Sequence, residues 1–290
     1  IQLHLGPFDV LPNQETEFFY YTSLGNTEEE YVNRVEISMK AGSHHFILYT
    51  YPDDAPIIPE NVERYLRDEN GIYQIATLEA MAYQIFFGGT QWSNMDISFP
   101  PNVGLRLPAD TYMDQNTHYI NTSNEIYTGE VYTNLHFTET EPEYIAEILQ
   151  LVVIESLVLP PHEITTIEET FMFEEILAVY DLDPDIINTI NIFQLFSHAH
   201  EKMTEFIVYK VDDSGSNEQV YWTDSWEHPP INCYGNDMSG CVNNYPTLSI
   251  SENEGLKLRA TYNNNTNEEL GFGFLSTDEM MIVFGYFYTD

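Results

Sequence analysis

Apolar and polar residues alternate with a period of two along much of this chain. Val35, Ile37 and Met39 alternate with Glu36, Ser38 and Lys40, the pattern of a half-buried strand. Phe46-Ile47-Leu48-Tyr49 predicts a second strand after a turn at Ala41-Gly42-Ser43. Glu205 to Val211 predicts a strand, Asp212 to Ser216 ends it as a turn, and Gln219-Val220-Tyr221-Trp222 returns. Leu256 to Tyr262 alternates well before the polar turn Asn263 to Asn267, and Met281 to Tyr288 predicts a final aromatic-rich strand. Two segments differ. Asn61 to Leu66 has the spacing of one or two helical turns. Tyr144 to Val153 has partial helical spacing, yet Leu151-Val152-Val153-Ile154 favours a strand. Many short strands between turn clusters indicate an all-β sandwich or jelly roll. Leu159-Pro160-Pro161 is the best internal boundary, because paired prolines cannot continue a ladder. It predicts domains over 1–158 and 159–290.

Composition narrows the classes. A chain of 290 residues can build two ordinary cores, and a 43% hydrophobic content sets it apart from disordered acidic tails. No apolar run reaches the roughly 18 residues of a membrane-spanning helix; the longest, Leu149 to Leu159, is broken by Gln150, Glu155 and Ser156. Nine Lys+Arg face 47 Asp+Glu, a net charge of -38. That excludes a phosphate-binding footprint, so nucleic acid is not an expected partner. It equally disfavours an anionic membrane surface. Such a field attracts cationic small molecules such as amines, and it also serves simply as a solvated surface, including in salty surroundings. The chain opens at Ile1 with no leader-like segment and reads as a mature or trimmed polypeptide. Cys233 and Cys241, the only cysteines, flank a turn-rich loop from Tyr234 to Gly240. They predict one local disulfide in a secreted, extracellular or periplasmic protein; a reduced pair or a zinc site is the alternative, although two cysteines alone do not make a zinc site. Asn121-Thr122-Ser123 and Asn264-Asn265-Thr266 match the glycosylation sequon.

The candidate chemistry lies in histidine. Five of the nine histidines fall in three short segments: His44-His45, His118, and His198-Ala199-His200. On a strand, His198 and His200 point to one face and can offer two imidazoles to one metal. His44 and His45 are adjacent, so an ideal strand sends them to opposite faces; a bend near Gly42-Ser43 is needed to bring both to one ion. Without it, one is a core residue and the other a surface residue. His4, His136, His162 and His228 have no evident partner in the sequence. Imidazole suits zinc, copper, iron and nickel, and the thioether of Met280 shifts a site toward Cu(I). Met281 competes for that role, but adjacent strand residues face opposite ways, and only one can reach the ion.

The order of these motifs carries a resemblance. Gly42-Ser43-His44-His45-Phe46, Asn116-Thr117-His118-Tyr119, His198-Ala199-His200 and Ser276-Thr277-Asp278-Glu279-Met280 resemble the copper type II, ascorbate-dependent monooxygenases. That family includes the peptidylglycine-hydroxylating and dopamine-hydroxylating enzymes. The resemblance runs from near Tyr31-Val32 to the C-terminus. Weaker similarity lies in Leu105-Arg106-Leu107-Pro108-Ala109, Trp226-Glu227-His228-Pro229-Pro230 and Gly271-Phe272-Gly273.

The resemblance implies two tandem jelly-roll domains facing a cleft, with one copper in each. His44, His45 and His118 match the family's electron-storing site. His198, His200 and Met280 match the site where dioxygen and substrate react. A reductant such as ascorbate would load an electron onto each copper, and an unactivated C–H bond would be hydroxylated. Two imidazoles and a thioether favour Cu(I) and leave a position open for dioxygen. The chain also departs from the family. Peptide-hydroxylating members carry an arginine where Phe196 stands, and asparagine and tyrosine where Ile282 and Phe284 stand. A glycine-extended peptide is therefore not the expected substrate; an apolar or aromatic one is. Met281 replaces a cysteine, so that family disulfide is missing. The competing expectation is a non-catalytic metal-binding or carbohydrate-interacting β-sandwich. A zinc hydrolase is disfavoured for want of a His-Glu-x-x-His setting.

Overall fold

The structure, a computed structural model, describes residues 1–235, 241–273 and 277–290. The predicted cysteine loop at 236–240, and Ser276 of the methionine motif, lie outside these residues. The described chain is almost entirely β and divides into two compact units. One comprises Ile1–Ser98 with Gly104–Pro142, the other Phe99–Val103 with Glu143–Asp290.

The first unit holds β1 (Gln2–Val10), β2 (Gln14–Ser23), β3 (Glu30–Met39), β4 (Ser43–Thr50), β5 (Glu63–Tyr65), α1 (Ile75–Met81), β6 (Ile85–Thr90) and β7 (Asn94–Ser98). It continues through β8 (Val103–Leu107), β9 (Tyr112–Asn121) and β10 (Tyr127–Phe137). One sheet runs β1-β10-β3, with β7 and β8 sharing the next edge of β3; the other runs β5-β2-β9-β4-β6. Alternation places Val35, Ile37, Phe46, Leu48, Met113, Tyr119 and Val131 in the interior.

The second unit holds β11 (Tyr144–Val152), β12 (Val158–Leu159), β13 (Glu163–Met172), α2 (Phe173–Val179), β14 (Thr189–His198), β15 (Met203–Asp212) and β16 (Asn217–Thr223). Then come β17 (Asn232–Tyr234), β18 (Asn243–Tyr245), β19 (Leu248–Ser251), β20 (Glu254–Asn264), β21 (Leu270–Gly271) and β22 (Ile282–Thr289). Its sheets are β11-β22-β14, with β17 and β19 on β14, and β13-β20-β15-β16. Leu195, Phe206, Val208, Leu258 and Phe287 are fully buried between them.

Both units are eight-stranded jelly rolls. Taking the principal strands of each in chain order, one sheet has the order first, eighth, third, sixth. The other has the order second, seventh, fourth, fifth. This interleaving is what a folded-over double Greek key produces.

The structure differs from the sequence expectations in several places. The division falls at Pro142/Glu143, not at Leu159-Pro160-Pro161, because β11 pairs with β22 from Ala146↔Tyr288 to Val152↔Ile282. Tyr144 to Val152 is a strand. Asn61 to Leu66 contains β5, not helical turns, since the open edge of β2 pairs with it through Phe18↔Tyr65. The two short helices lie elsewhere, at α1 and α2. Cys233 and Cys241 form a disulfide with a Cα–Cα distance of 5.8 Å. No helix among the described residues is long and apolar enough to cross a membrane.

The two sequons are structural. Asn121 ends β9 and Asn264 ends β20, the seventh principal strand of each unit. They are 1% and 0% exposed. Asn121 Nδ2 donates to Val10 O and Glu125 O, and Asn264 Nδ2 donates to Leu159 O and Glu268 O. Each Oδ1 accepts from the backbone N–H and hydroxyl of Ser123 or Thr266. The same corner is built twice, and neither amide is presented for glycan attachment.

Candidate metal centres

The first centre starts from a bulge. β4 pairs with β9 through Ser43↔Tyr119 and then His45↔His118, so one extra residue, His44, is inserted in β4. A bulge breaks the alternation that would send His44 and His45 to opposite faces. Gly42 precedes it at φ +93°, a conformation that L side chains rarely adopt. His45 lies directly opposite His118, which in turn lies opposite Glu17 of β2. One row across three strands thus carries Glu17, His118 and His45.

Three imidazoles converge there. A ring nitrogen from each of His44, His45 and His118 lies within 4.8 Å of the others. His44 Nδ1 and His45 Nδ1 are 3.2 Å apart. The far nitrogens are anchored. His118 Nε2 is 2.7 Å from Glu15 Oε1, and His45 Nε2 is 2.8 Å from Asn116 Oδ1. Asn116 is itself oriented, donating through Nδ2 to Glu17 Oε1 at 3.2 Å. Burial opposes the charged form of His118, but the Glu15 hydrogen bond and the charges of Glu17 and Glu15 outweigh it and hold the imidazole above its ordinary pKa. The hydrogen bond from His118 holds Glu15 below the usual carboxylate range, whereas burial pushes Glu17 up.

The same face continues as a polar cluster. Buried Asp114 accepts two bonds from Arg64 Nη2, at 2.6 and 2.5 Å, and one from Tyr51 Oη at 2.5 Å. Beside it lies a groove of about 1210 Å³, lined among others by Glu15, Glu17, Glu63, Glu69, Arg64 and Arg67.

The second candidate set lies in the other jelly roll. His198 ends β14 and pairs with Ile282, and Phe196 pairs with Phe284. Cross-strand partners share a face, so Phe196, His198, Ile282 and Phe284 stand together. The Phe196 and Phe284 rings are 5.6 Å apart, and His198 lies 6.4 Å from Phe284. His200 follows in the corner before β15, its ring 5.3 Å from that of His198. His200 Nδ1 donates to Asp278 O at 3.0 Å; in the neutral ring this leaves the lone pair on Nε2. Met280 is 7% exposed and Met281 0%. Both precede β22, which begins at Ile282. Tyr262 Oη donates to Met280 O at 2.8 Å.

Glu279 ties these pieces together. This fully buried carboxylate accepts from the backbone N–H groups of His200 (3.0 Å), Lys202 (2.7 Å) and Met280 (3.3 Å). Burial pushes it up to about 7, against the pull of those donors. Sequence reading missed Glu279 as a clamp, and missed Glu15, Glu17 and Asn116. A visible signal existed: Glu15-Thr16-Glu17 and Asn116-Thr117-His118 each place two polar side chains on one strand face.

The other histidines have partners. His4 bonds Glu130 at 3.1 Å and stacks on Tyr132, His136 bonds Glu36 at 2.6 Å, and His162 bonds Asn267 at 3.0 Å.

In both jelly rolls a histidine pair, His44-His45 or His198 with His200, stands at the corner between the third and fourth principal strands. In the first they begin β4; in the second they end β14 and fill the corner.

No family model and no curated protein matches the chain. Among solved structures, it is similar to a protein of an archaeal virus described by its triple jelly-roll fold and turret assembly. Identity is 9%, over 97% of this chain and 59% of that one, at a TM-score of 0.28. The major capsid protein P2 of bacteriophage PM2 shares 6% identity over 96% of this chain and 98% of its own, also at 0.28. The PBSX exported protein XepA shares 7% over 100% and 86%, at 0.22. Likenesses this low carry nothing about function. The jelly-roll assignment here stands on the strand order.

Proposed function

We propose that the chain is a copper-dependent monooxygenase that hydroxylates an unactivated C–H bond of an apolar or aromatic substrate. Dioxygen would be the oxidant and an external one-electron reductant, such as ascorbate, the electron source. The observation that carries this reading is the pairing of two unlike donor sets. One gathers three imidazoles within ligating reach of one another. The other holds the His200 and Met280 backbones on one shared carboxylate, with the His198 ring 5.3 Å from that of His200.

The donor chemistry fits copper. Three imidazoles accept either Cu(II) or Cu(I), and two imidazoles with a thioether favour Cu(I). Copper, when bound, would supply one-electron transfer and the activation of dioxygen. The chain's own residues do the rest. Glu15 and Asn116 fix the far nitrogens of His118 and His45. The Asp278 carbonyl fixes His200 with Nε2 as the ligating nitrogen. Phe196, Ile282 and Phe284 present an apolar wall beside His198. No cationic side chain stands at these wall positions to pair with a peptide carboxylate, which supports an uncharged or amine-bearing substrate. The disulfide supports an extracellular or periplasmic setting.

The experiment is copper stoichiometry after reconstitution, with ascorbate-dependent oxygen uptake, on the wild type, Met280→Ala and His118→Ala. Two coppers per chain, one weakened in each variant, with oxygen uptake in the wild type, is the expected result. One copper or none, without oxygen uptake, would instead support a non-catalytic metal-binding β-sandwich.

A further inference from the structure

The three-histidine centre carries something its ligands do not require: two carboxylates on β2. Glu15 contacts His118 directly, with 2.7 Å between Oε1 and Nε2. Glu17 acts through an intermediate, receiving Asn116 Nδ2 at 3.2 Å, while Asn116 Oδ1 takes His45 Nε2 at 2.8 Å. Because Asn116 spends its NH2 group on Glu17, the atom facing His45 is its carbonyl oxygen, an acceptor. His45 Nε2 must therefore be the donor, and its lone pair lies on Nδ1, the atom 3.2 Å from His44 Nδ1. At His118 a carboxylate likewise takes the Nε2 proton, leaving Nδ1 to ligate. Two of the three imidazoles are thus set in one tautomer by acidic residues. Both carboxylates reach the centre by register: Glu17 lies opposite His118, and Glu15 lies two residues away on the same face.

We propose that Glu15 and Glu17 are positioning residues that bias the His44/His45/His118 centre toward the divalent state of its metal. The inference rests on the copper reading above. A carboxylate hydrogen-bonded to a ligating imidazole orients the ring and raises its basicity. Greater donor strength and nearby negative charge both stabilise Cu(II) more than Cu(I). The His198/His200/Met280 set is built otherwise: a neutral backbone carbonyl orients His200. Glu15 and Glu17 thus lower the potential of the three-histidine copper.

The test uses the full chain loaded with copper, in wild type, Glu15→Gln, Glu17→Gln and, as a charge control remote from the register row, Glu28→Gln. Cu(II) affinity is read by chelator competition. The Cu(II)/Cu(I) potential of each centre is read by titration followed by electron paramagnetic resonance. Loss of one such carboxylate is expected to weaken Cu(II) binding at the three-histidine centre about 10–100-fold. Cu(I) binding should change far less. Each tenfold of that difference raises the potential by about 59 mV for a one-electron couple. The His198/His200/Met280 centre and the Glu28→Gln protein should keep wild-type values. Unchanged affinity and potential in both Glu15→Gln and Glu17→Gln would overturn the proposal, as would equal shifts at both centres or in the control. Copper missing from the three-histidine centre of the wild type itself would overturn the underlying reading as well, and stoichiometry separates that outcome from the others.

Discussion

The backbone N–H groups of His200 and Met280 converge on a single atom. Glu279 Oε2 accepts both, at 3.0 and 3.3 Å, while Oε1 takes Lys202 N–H at 2.7 Å. His200 and Glu279, 79 apart in sequence, are held together this way, and the carboxylate is completely buried. Replacing it with Gln puts an NH2 donor where one of its acceptor oxygens now faces backbone donors. Leaving buried N–H groups unpaired costs about 1–3 kcal/mol. Glu279→Gln is expected to lower Cu(I) affinity at the His198/His200/Met280 set about 10–100-fold and leave the three-histidine set intact. Competition with a Cu(I) chelator measures this. Wild-type affinity in the variant would refute the clamp.

The two sequon asparagines should carry no glycan even when the chain is made in a eukaryotic secretory pathway. Each Nδ2 is committed to two backbone carbonyls inside a corner. Intact-mass analysis checks this; a glycan on Asn121 or Asn264 would contradict the folded corner. Asn264→Ala leaves the buried carbonyl of Leu159 without this donor and is expected to cost about 1–3 kcal/mol. For a domain of this size that is a drop of a few degrees, about 2–4 °C per kcal/mol, in thermal melting.

How much of this was legible beforehand depends on how local the cause is. Strands such as Val35–Met39 and Leu256–Tyr262 declare themselves through alternation, because one face meets the core. His198-x-His200 was legible as a pair but not through alternation, because β14 ends at His198 and His200 lies in the corner that follows. That only one of Met280 and Met281 can reach an ion follows from adjacent residues facing opposite ways; the choice of Met280 rests on the Asp278-Glu279-Met280 motif. The His44-His45 pair was only half legible: Gly42 signalled an irregularity, but the bulge appears only once β4 is set against β9. Glu15 was invisible as a partner because 103 residues separate it from His118. The Leu159-Pro160-Pro161 boundary failed because sequence does not reveal that β11 pairs with the last strand of the chain.

Gly42 should be the least replaceable residue of the turn before the bulge. Its φ is +93°, and a Cβ there would sit 3.1 Å from the Tyr127 ring. Gly42→Ala is expected to cost about 1–2 kcal/mol for the backbone conformation alone. The strain falls where His44 and His45 are brought to one face, so copper binding at the three-histidine set should weaken more than binding at His198/His200/Met280. A variant that loses stability but binds copper normally at both sets would show that the bulge does not depend on this turn.

The charge distribution sets the salt dependence. Ascorbate is an anion, and the chain carries a net -38. The groove beside the three-histidine centre is itself acidic: Glu15, Glu17, Glu63, Asp68, Glu69 and Glu79 line it against Arg64 and Arg67. Of those cations, Arg64 is engaged by Asp114 and Arg67 lies 3.7 Å from Glu15. An anionic reductant approaching this surface is repelled at low ionic strength. Raising salt toward 1 M shortens the screening length to about 3 Å and removes most of that repulsion. Ascorbate-driven oxygen uptake at subsaturating ascorbate should therefore rise with salt. A neutral or cationic reductant should show no rise, or a fall. The comparison is made at fixed copper loading, so that metal loss is not mistaken for slow reduction. Ascorbate rates that stay flat from low to high salt would show that electrons enter at a place the acidic surface does not govern.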